Sequence, residues 1–235
     1  MISLVQHIKE EFSFRINRDS AKNSYNYSPK TKNELMEIIQ DHYDAGVYDL
    51  NDIDVSQITN FNNLFFEDQN TGNPEFDISR WDVSMGENFG GMFYRCNKFN
   101  SDLSNWDVSN GMYFNSMFSG CTNFNCDLSK WNISKSINFT GMFYRCEKFN
   151  SDLSNWNTNN TINLSYMFYF CKNFNSDLSK WDVGNCFYFG SMFEGCKNFN
   201  CDLSQWDVNK GIDFRFMFDN CPIKQEFKPK HADIK

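Results

Sequence analysis

Apolar positions along this chain recur with a period longer than any single helix or strand. Between Asp102 and Cys126 the pattern Leu103-x-x-Trp106-x-Val108 places Trp106 and Val108 on one side and Asn105, Asp107 and Ser109 on the other, the alternation of a short half-buried strand. Phe114, Met117, Phe118 and Cys121 then follow at i, i+3, i+4 and i+7, which predicts one to two turns of helix burying a single stripe. Phe124 and the Asn125-x-Asp127 corner return the chain to the next strand, because Asn and Asp bond readily to nearby backbone in tight turns.

The same pattern repeats every 25 residues, and it carries all 6 tryptophans of the chain, Trp81, Trp106, Trp131, Trp156, Trp181 and Trp206. Met-Phe pairs keep the register from Met92-Phe93 to Met217-Phe218, as do Cys96, Cys121, Cys146, Cys171, Cys196 and Cys221. A column of aspartates from Asp77 to Asp202 is equally unbroken. One unit alone buries too little apolar surface to offset the entropy of ordering it, so the units must stack and complete each other's burial. The fold class expected is an α/β repeat solenoid of leucine-rich-repeat type, with a short parallel strand and a short helix in each repeat.

Four segments follow from this reading. Residues 1–46 form an N-terminal helical cap, in which Thr31-Lys32-Asn33-Glu34 is a capping box opening a helix that Gly46 stops. Residues 47–72 hold a divergent first repeat, Ile53-Asp54-Val55-Ser56 with Phe61-x-x-Leu64-Phe65, and a short insertion. Six full repeats span 73–221, and a C-terminal tail spans 222–235, of which at most the first half covers the last repeat.

The units Phe99-Asn-Ser-Asp-Leu-Ser-Asn-Trp-Asp-Val-Ser109 and Gly91-Met-Phe-Tyr-Arg-Cys96 resemble the 25-residue repeats of the BspA-like leucine-rich-repeat surface-protein family, which includes a domain of unknown function in mycoplasmas, other bacteria and giant amoebal viruses. The resemblance covers about residues 50–222. It implies the fold and leaves function open, since one fold hosts many functions. Exported relatives are thought to act in adhesion, whereas the Lys-, Asn-, Phe- and Tyr-rich style here is more like that of the giant-virus members. One departure stands out. The family carries an aliphatic residue three places after the Val of Trp-Asp-Val, where this chain has Gly86, Gly111, Ser136, Thr161, Cys186 and Gly211, and the apolar residue falls one place on at Met112, Ile137, Ile162, Phe187 and Ile212.

Charge narrows the partners. A net charge of −8 disfavours phosphate backbones and anionic lipid, so neither nucleic acid nor membrane is an expected partner. The first residues have neither a basic leader nor an apolar core, and 9 cysteines, an odd count, favour reduced thiols. The expected location is therefore cytoplasmic, the host cytoplasm or the virion if the source is viral.

No catalytic, cofactor or metal site is expected. The cysteine column reads as packing, and the three histidines, His7, His42 and His231, lie outside the repeats. Asp82, Asp107, Asp182 and Asp207 could form a cation-binding strip, but a solvated polar face is the simpler account. The Asp77 column reads as a turn device that accepts backbone N–H groups.

What varies between repeats is free to serve function. The strand face lacks aromatic anchors, whereas Tyr94, Arg95, Tyr144, Arg145, Tyr166, Tyr169, Phe170 and Phe216 follow or precede the Met-Phe pairs. These eight are the candidate partner-binding residues, since aromatics and arginine dominate interface energetics. The leading expectation is a non-enzymatic scaffold for an unidentified protein, itself a monomer or weakly self-associating. A self-associating structural component, for instance of a virion, and a cation-binding module are the alternatives.

Overall fold

The computed structural model describes residues 25–66, 75–231 and 234. The first half of the expected N-terminal cap and the expected insertion near residues 68–72 lie outside these residues. Helix α1, Lys32–Asp44, opens where the Thr31 hydroxyl accepts the Glu34 N–H at 3.2 Å, while the Glu34 carboxylate accepts the Lys30 N–H at 2.7 Å. It ends at Gly46, whose φ of 71° few other residues adopt without strain. Leu35, Ile39 and Tyr43 are buried on its inner face against the start of the core.

Beyond α1 the chain advances in coils that lie side by side, the first in register with residues 28 places on and each later one with residues 25 places on. Parallel bridges join Asn60 to Asn88, Asn88 to Tyr113, and so on through Asn138, Asn163 and Tyr188 to Asp213. Leu50, Ile53, Val55, Phe61, Leu64 and Phe65 of the first, divergent coil join the same core.

The coils are not built from the expected strand and helix. Among the described residues the only helices are α1 and a single 3-10 turn, Gln225–Phe227. At the expected helix, the N–H groups of Phe114, Ser116, Phe118 and Gly120 donate to the carbonyls of Asn138, Thr140, Met142 and Tyr144 in the next coil, at 2.7 to 3.0 Å. An α-helix would spend those donors within itself. In between, the Met117 N–H donates to Phe114 O and the Cys121 N–H to Phe118 O. Two consecutive four-residue turns result, with Ser116 (φ 55°) and Gly120 (φ 79°) at their left-handed third positions. Their apolar spacing coincides with that of a helix.

The expected strand at Leu103 to Val108 is also a chain of turns. The Trp106 N–H donates to Leu103 O, and Asp102 and Asp107 each accept the N–H of the serine two residues on, at 2.9 Å. The carboxylates bend the segment before it can extend.

The interior is a set of continuous files. Phe65, Phe93, Phe118, Phe143, Phe168, Phe193 and Phe218 stack with ring centroids 5.4 to 5.8 Å apart. A second file runs beside it through Phe99, Phe124, Phe149, Phe174 and Phe199, and the two touch within each coil, as at 4.0 Å between Phe118 and Phe124. Each tryptophan donates its indole N–H to a carbonyl of the preceding coil, Trp131 to Leu103 O at 2.9 Å and Trp156 to Leu128 O at 3.0 Å. Cysteine thiols do likewise, Cys121 to Phe93 O and Cys146 to Phe118 O at 2.9 Å.

The departure at the corner has a packing cause. A Cβ on Gly86, Gly111 or Gly211 would lie 2.3, 2.4 or 2.2 Å from the ring tip of Phe89, Phe114 or Phe214. The small residue therefore sits under an inward-facing phenyl ring, and the apolar residue after it turns outward.

The tail covers more of the last coil than expected. The Leu203 N–H donates to Phe227 O at 2.8 Å, the His231 ring lies 4.4 Å from that of Phe214, and Ile234 is buried.

Candidate functional site

The eight candidate residues follow the two turns of each coil. Arg95, Arg145 and Phe170 occupy the left-handed place of the second turn, with φ of 61°, 56° and 55°, and Tyr166 and Phe216 that of the first, both with φ of 58°. Glycine holds equivalent places at Gly91, Gly120, Gly141 and Gly195. Of these five groups Arg95, Arg145, Tyr166 and Phe216 are exposed, and Phe170 is half-buried.

Five of the eight come together. Tyr144 and Tyr169 stack at 4.6 Å, Tyr166 meets the Tyr169 edge at 6.0 Å, and Phe170 leans on Tyr169 at 4.7 Å. The Arg145 guanidinium lies 5.5 Å from the Tyr144 ring and 5.9 Å from that of Phe170, within cation–π range. Tyr166 is 45% exposed, while Tyr144, Tyr169 and Phe170 are half-buried and lie partly on their neighbours. Phe170 lies across Gly195, where any Cβ would be 2.7 Å from its ring.

Tyr94 and Arg95 form a separate group, with Tyr94 stacked on Phe66 at 4.7 Å and Arg95 beside Gly120. Ser119 and Gly120 separate them from the larger cluster. Phe216, 62% exposed on the last coil, is separated from Tyr166 by Ser191, which holds the same place in the coil between them.

Sequence reasoning overlooked a second exposed apolar column, in which Ile162, Phe187 and Ile212 are 41%, 38% and 67% exposed. Its signal in the sequence is the apolar residue displaced by one place at Ile162, Phe187 and Ile212. Adjacent residues of an extended segment face opposite ways, so an inward Gly111 puts Met112 outside.

The remaining titratable columns serve the backbone. Asp127, Asp152 and Asp177 are held below the ordinary carboxylate range by the N–H and then the hydroxyl of the serine two residues on. Burial raises the thiols of Cys121, Cys146, Cys171 and Cys196 well above their usual value, and lifts Cys126 to about 11 and Cys186 to about 12. Such thiols are poor nucleophiles at neutral pH. Among the described residues no helix is long and apolar enough to cross a membrane.

Successive coils of 25 residues after a longer first one, a common interior and a face that changes from coil to coil define a repeat protein. The chain belongs to the family described as mycoplasma protein of unknown function, DUF285, whose model matches residues 33–156 and again 131–230. No curated protein and no solved structure matches it.

Proposed function

We propose that this chain is a BspA-like repeat solenoid that acts as a non-enzymatic scaffold, holding a protein partner on Tyr144, Arg145, Tyr166, Tyr169 and Phe170, with Tyr94 and Arg95 as a second foothold. One observation carries the reading: arginine, tyrosine and phenylalanine occupy left-handed positions. Such a conformation costs a residue with a side chain about 1–2 kcal/mol and costs glycine almost nothing. Folding alone favours glycine there, as Gly120, Gly141 and Gly195 illustrate. Large planar groups kept at that cost form a contiguous aromatic and cationic face, the composition of interface anchors.

The test is capture of proteins from the native source on immobilised full-length chain, with yields measured by mass spectrometry against Arg95→Glu/Arg145→Glu. Both arginines are exposed, so the melting temperature should hold. The yield of specific partners should drop about ten-fold, the order of effect that charged interface residues have. Equal yields from both proteins would remove this face from the account.

A further inference from the structure

One outer file of rings is interrupted. The places that follow Leu64-Phe65 and the next four Met-Phe pairs hold Phe66, Tyr94, Ser119, Tyr144 and Tyr169 in successive coils. The backbone keeps them in one register: the Arg95 N–H donates to Ser119 O at 2.6 Å, and the Gly120 N–H to Tyr144 O at 2.7 Å. Phe66 and Tyr94 stack at 4.7 Å with their planes 7° apart, and Tyr144 and Tyr169 at 4.6 Å and 6°. Between the two pairs stands a serine. Two steps of the stack, at about 4.8 Å each, separate Tyr94 from Tyr144, which is room for one ring at the spacing both existing pairs already show.

The walls, floor and charge of this slot point to one kind of occupant. Tyr94 and Tyr144 each turn a face toward the gap, since Phe66 and Tyr169 cover their other faces. Ser119 lies at the floor, only 6% exposed, and its hydroxyl has no hydrogen-bond partner among the described residues. A polar group so nearly buried is costly to leave unmet. Gly120 adds no side chain beside it, and Arg95 Cγ, 3.1 Å from where a Gly120 Cβ would stand, bounds the slot on that side. In the three coils that form the slot, segments 91–98, 116–123 and 141–148 carry four basic residues (Arg95, Lys98, Arg145, Lys148) and one acidic residue, Glu147, in a protein of net charge −8. Lys172 already holds Glu147 at 2.9 Å. Arg145, exposed beside the Tyr144 wall, pairs with no carboxylate among the described residues.

We propose that the gap over Ser119 receives a tyrosine side chain from an acidic segment of the partner protein. The ring enters between Tyr94 and Tyr144 and completes the file, its hydroxyl donates to Ser119 Oγ at the floor, and a carboxylate next to it in sequence meets the Arg145 guanidinium. A phenylalanine fills the same space but leaves the Ser119 hydroxyl unmet. A nucleobase matches the stacking, but the phosphates that come with it continue past the slot over a chain of net negative charge. The inference rests on the reading of Tyr94, Arg95, Tyr144 and Arg145 as part of a partner-binding face, and adds which group of the partner that face takes.

The decisive variant fills the slot from within. Ser119→Tyr supplies the residue that coils on both sides already carry at this place, as Tyr94, Tyr144 and Tyr169, so it should fold and melt no lower than the parent. The probe is a short fluorescein-labelled peptide, a single tyrosine flanked by glutamates, titrated with the full chain and followed by anisotropy. Binding should be saturable and should vanish in Ser119→Tyr. Alanine in place of the peptide's tyrosine should weaken it about ten-fold or more, because two stacked faces are lost, and Arg145→Glu should weaken it about ten-fold. The proposal fails if the peptide does not bind, if Ser119→Tyr binds it as the parent does, or if the alanine peptide, a peptide with lysines for glutamates or a short oligouridylate binds as tightly. Capture from the native source separates this failure from that of the wider reading. A partner lost in Arg95→Glu/Arg145→Glu but kept in Ser119→Tyr leaves the face in place and overturns the slot, whereas a partner kept in both overturns the face and the slot with it.

Discussion

Two places in each complete coil have positive φ, and the residues found there differ in every chemical respect: glycine, serine, arginine, tyrosine, phenylalanine and asparagine. Their shared backbone conformation separates folding from function in a testable way. Tyr166→Gly and Phe216→Gly each remove strain of about 1–2 kcal/mol and little buried surface, so chemical denaturation should find both variants at least as stable as the parent. A loss of more than about 1 kcal/mol in either would mean that the ring is part of the packing. The sequence contained a hint of this geometry. Gly91, Gly120, Gly141 and Gly195 all flank a Met-Phe pair, and glycine in a predicted helix marks a place where backbone freedom is needed. The non-glycine copies concealed it.

A coil is held by bonds to its neighbours more than by bonds within itself, and the tryptophans illustrate how. Trp131 is buried and its indole N–H meets Leu103 O at 2.9 Å in the preceding coil. In Trp131→Phe the file of rings survives, and Leu103 O keeps the Trp106 N–H but loses the indole as its second donor in a dry interior. Urea denaturation should show a loss of about 1–3 kcal/mol from the missing indole hydrogen bond and the smaller ring together. A change under about 1 kcal/mol would mean that water or a shifted donor satisfies the carbonyl. The interior positions of a coil could be read from the sequence, because apolar spacing reports which side chains face inward whatever the backbone does: Trp106, Val108, Phe114, Met117, Phe118 and Cys121 are all buried. The backbone path could not be read, because i, i+3, i+4 and i+7 describe two consecutive turns as well as two turns of helix. What separates them is the destination of the N–H groups of Phe114, Ser116, Phe118 and Gly120, a contact 24 residues away in the chain. The Tyr–Arg cluster was legible as a set of variable residues, but the separation of Tyr94 and Phe216 from it depends on that path.

For the molecule as a whole, the file of thiols makes stability depend on pH at the alkaline end. Cys121, Cys146, Cys171 and Cys196 are fully buried and hold their protons well above the usual thiol value. The unfolded chain releases those protons above about pH 8.5 while the folded one keeps them, so stability present below that pH drains away as pH rises. Each thiol adds about 1.4 kcal/mol per pH unit to the decline. Denaturation under reducing conditions should therefore give a plateau near neutrality and a steep fall between about pH 9 and 11, and Cys146→Ala should flatten the slope. A profile level to about pH 10 would show that the thiols ionise in place. The aspartate column acts on the acid side with opposite sign: Asp127, Asp152 and Asp177 are depressed by their serine partners, and what they contribute disappears only as pH falls below about 4.

The parallel bridges impose one more consequence. Because residue 113 meets 138 as 138 meets 163, the junctions between the 25-residue coils share one backbone joint. Length is then a free variable of this architecture: a whole 25-residue segment can be duplicated or excised in the gene and both new junctions are ones the chain already knows how to make. The reach of the protein can change by steps over evolutionary time while its caps, its interior and the spacing of whatever it displays stay as they are.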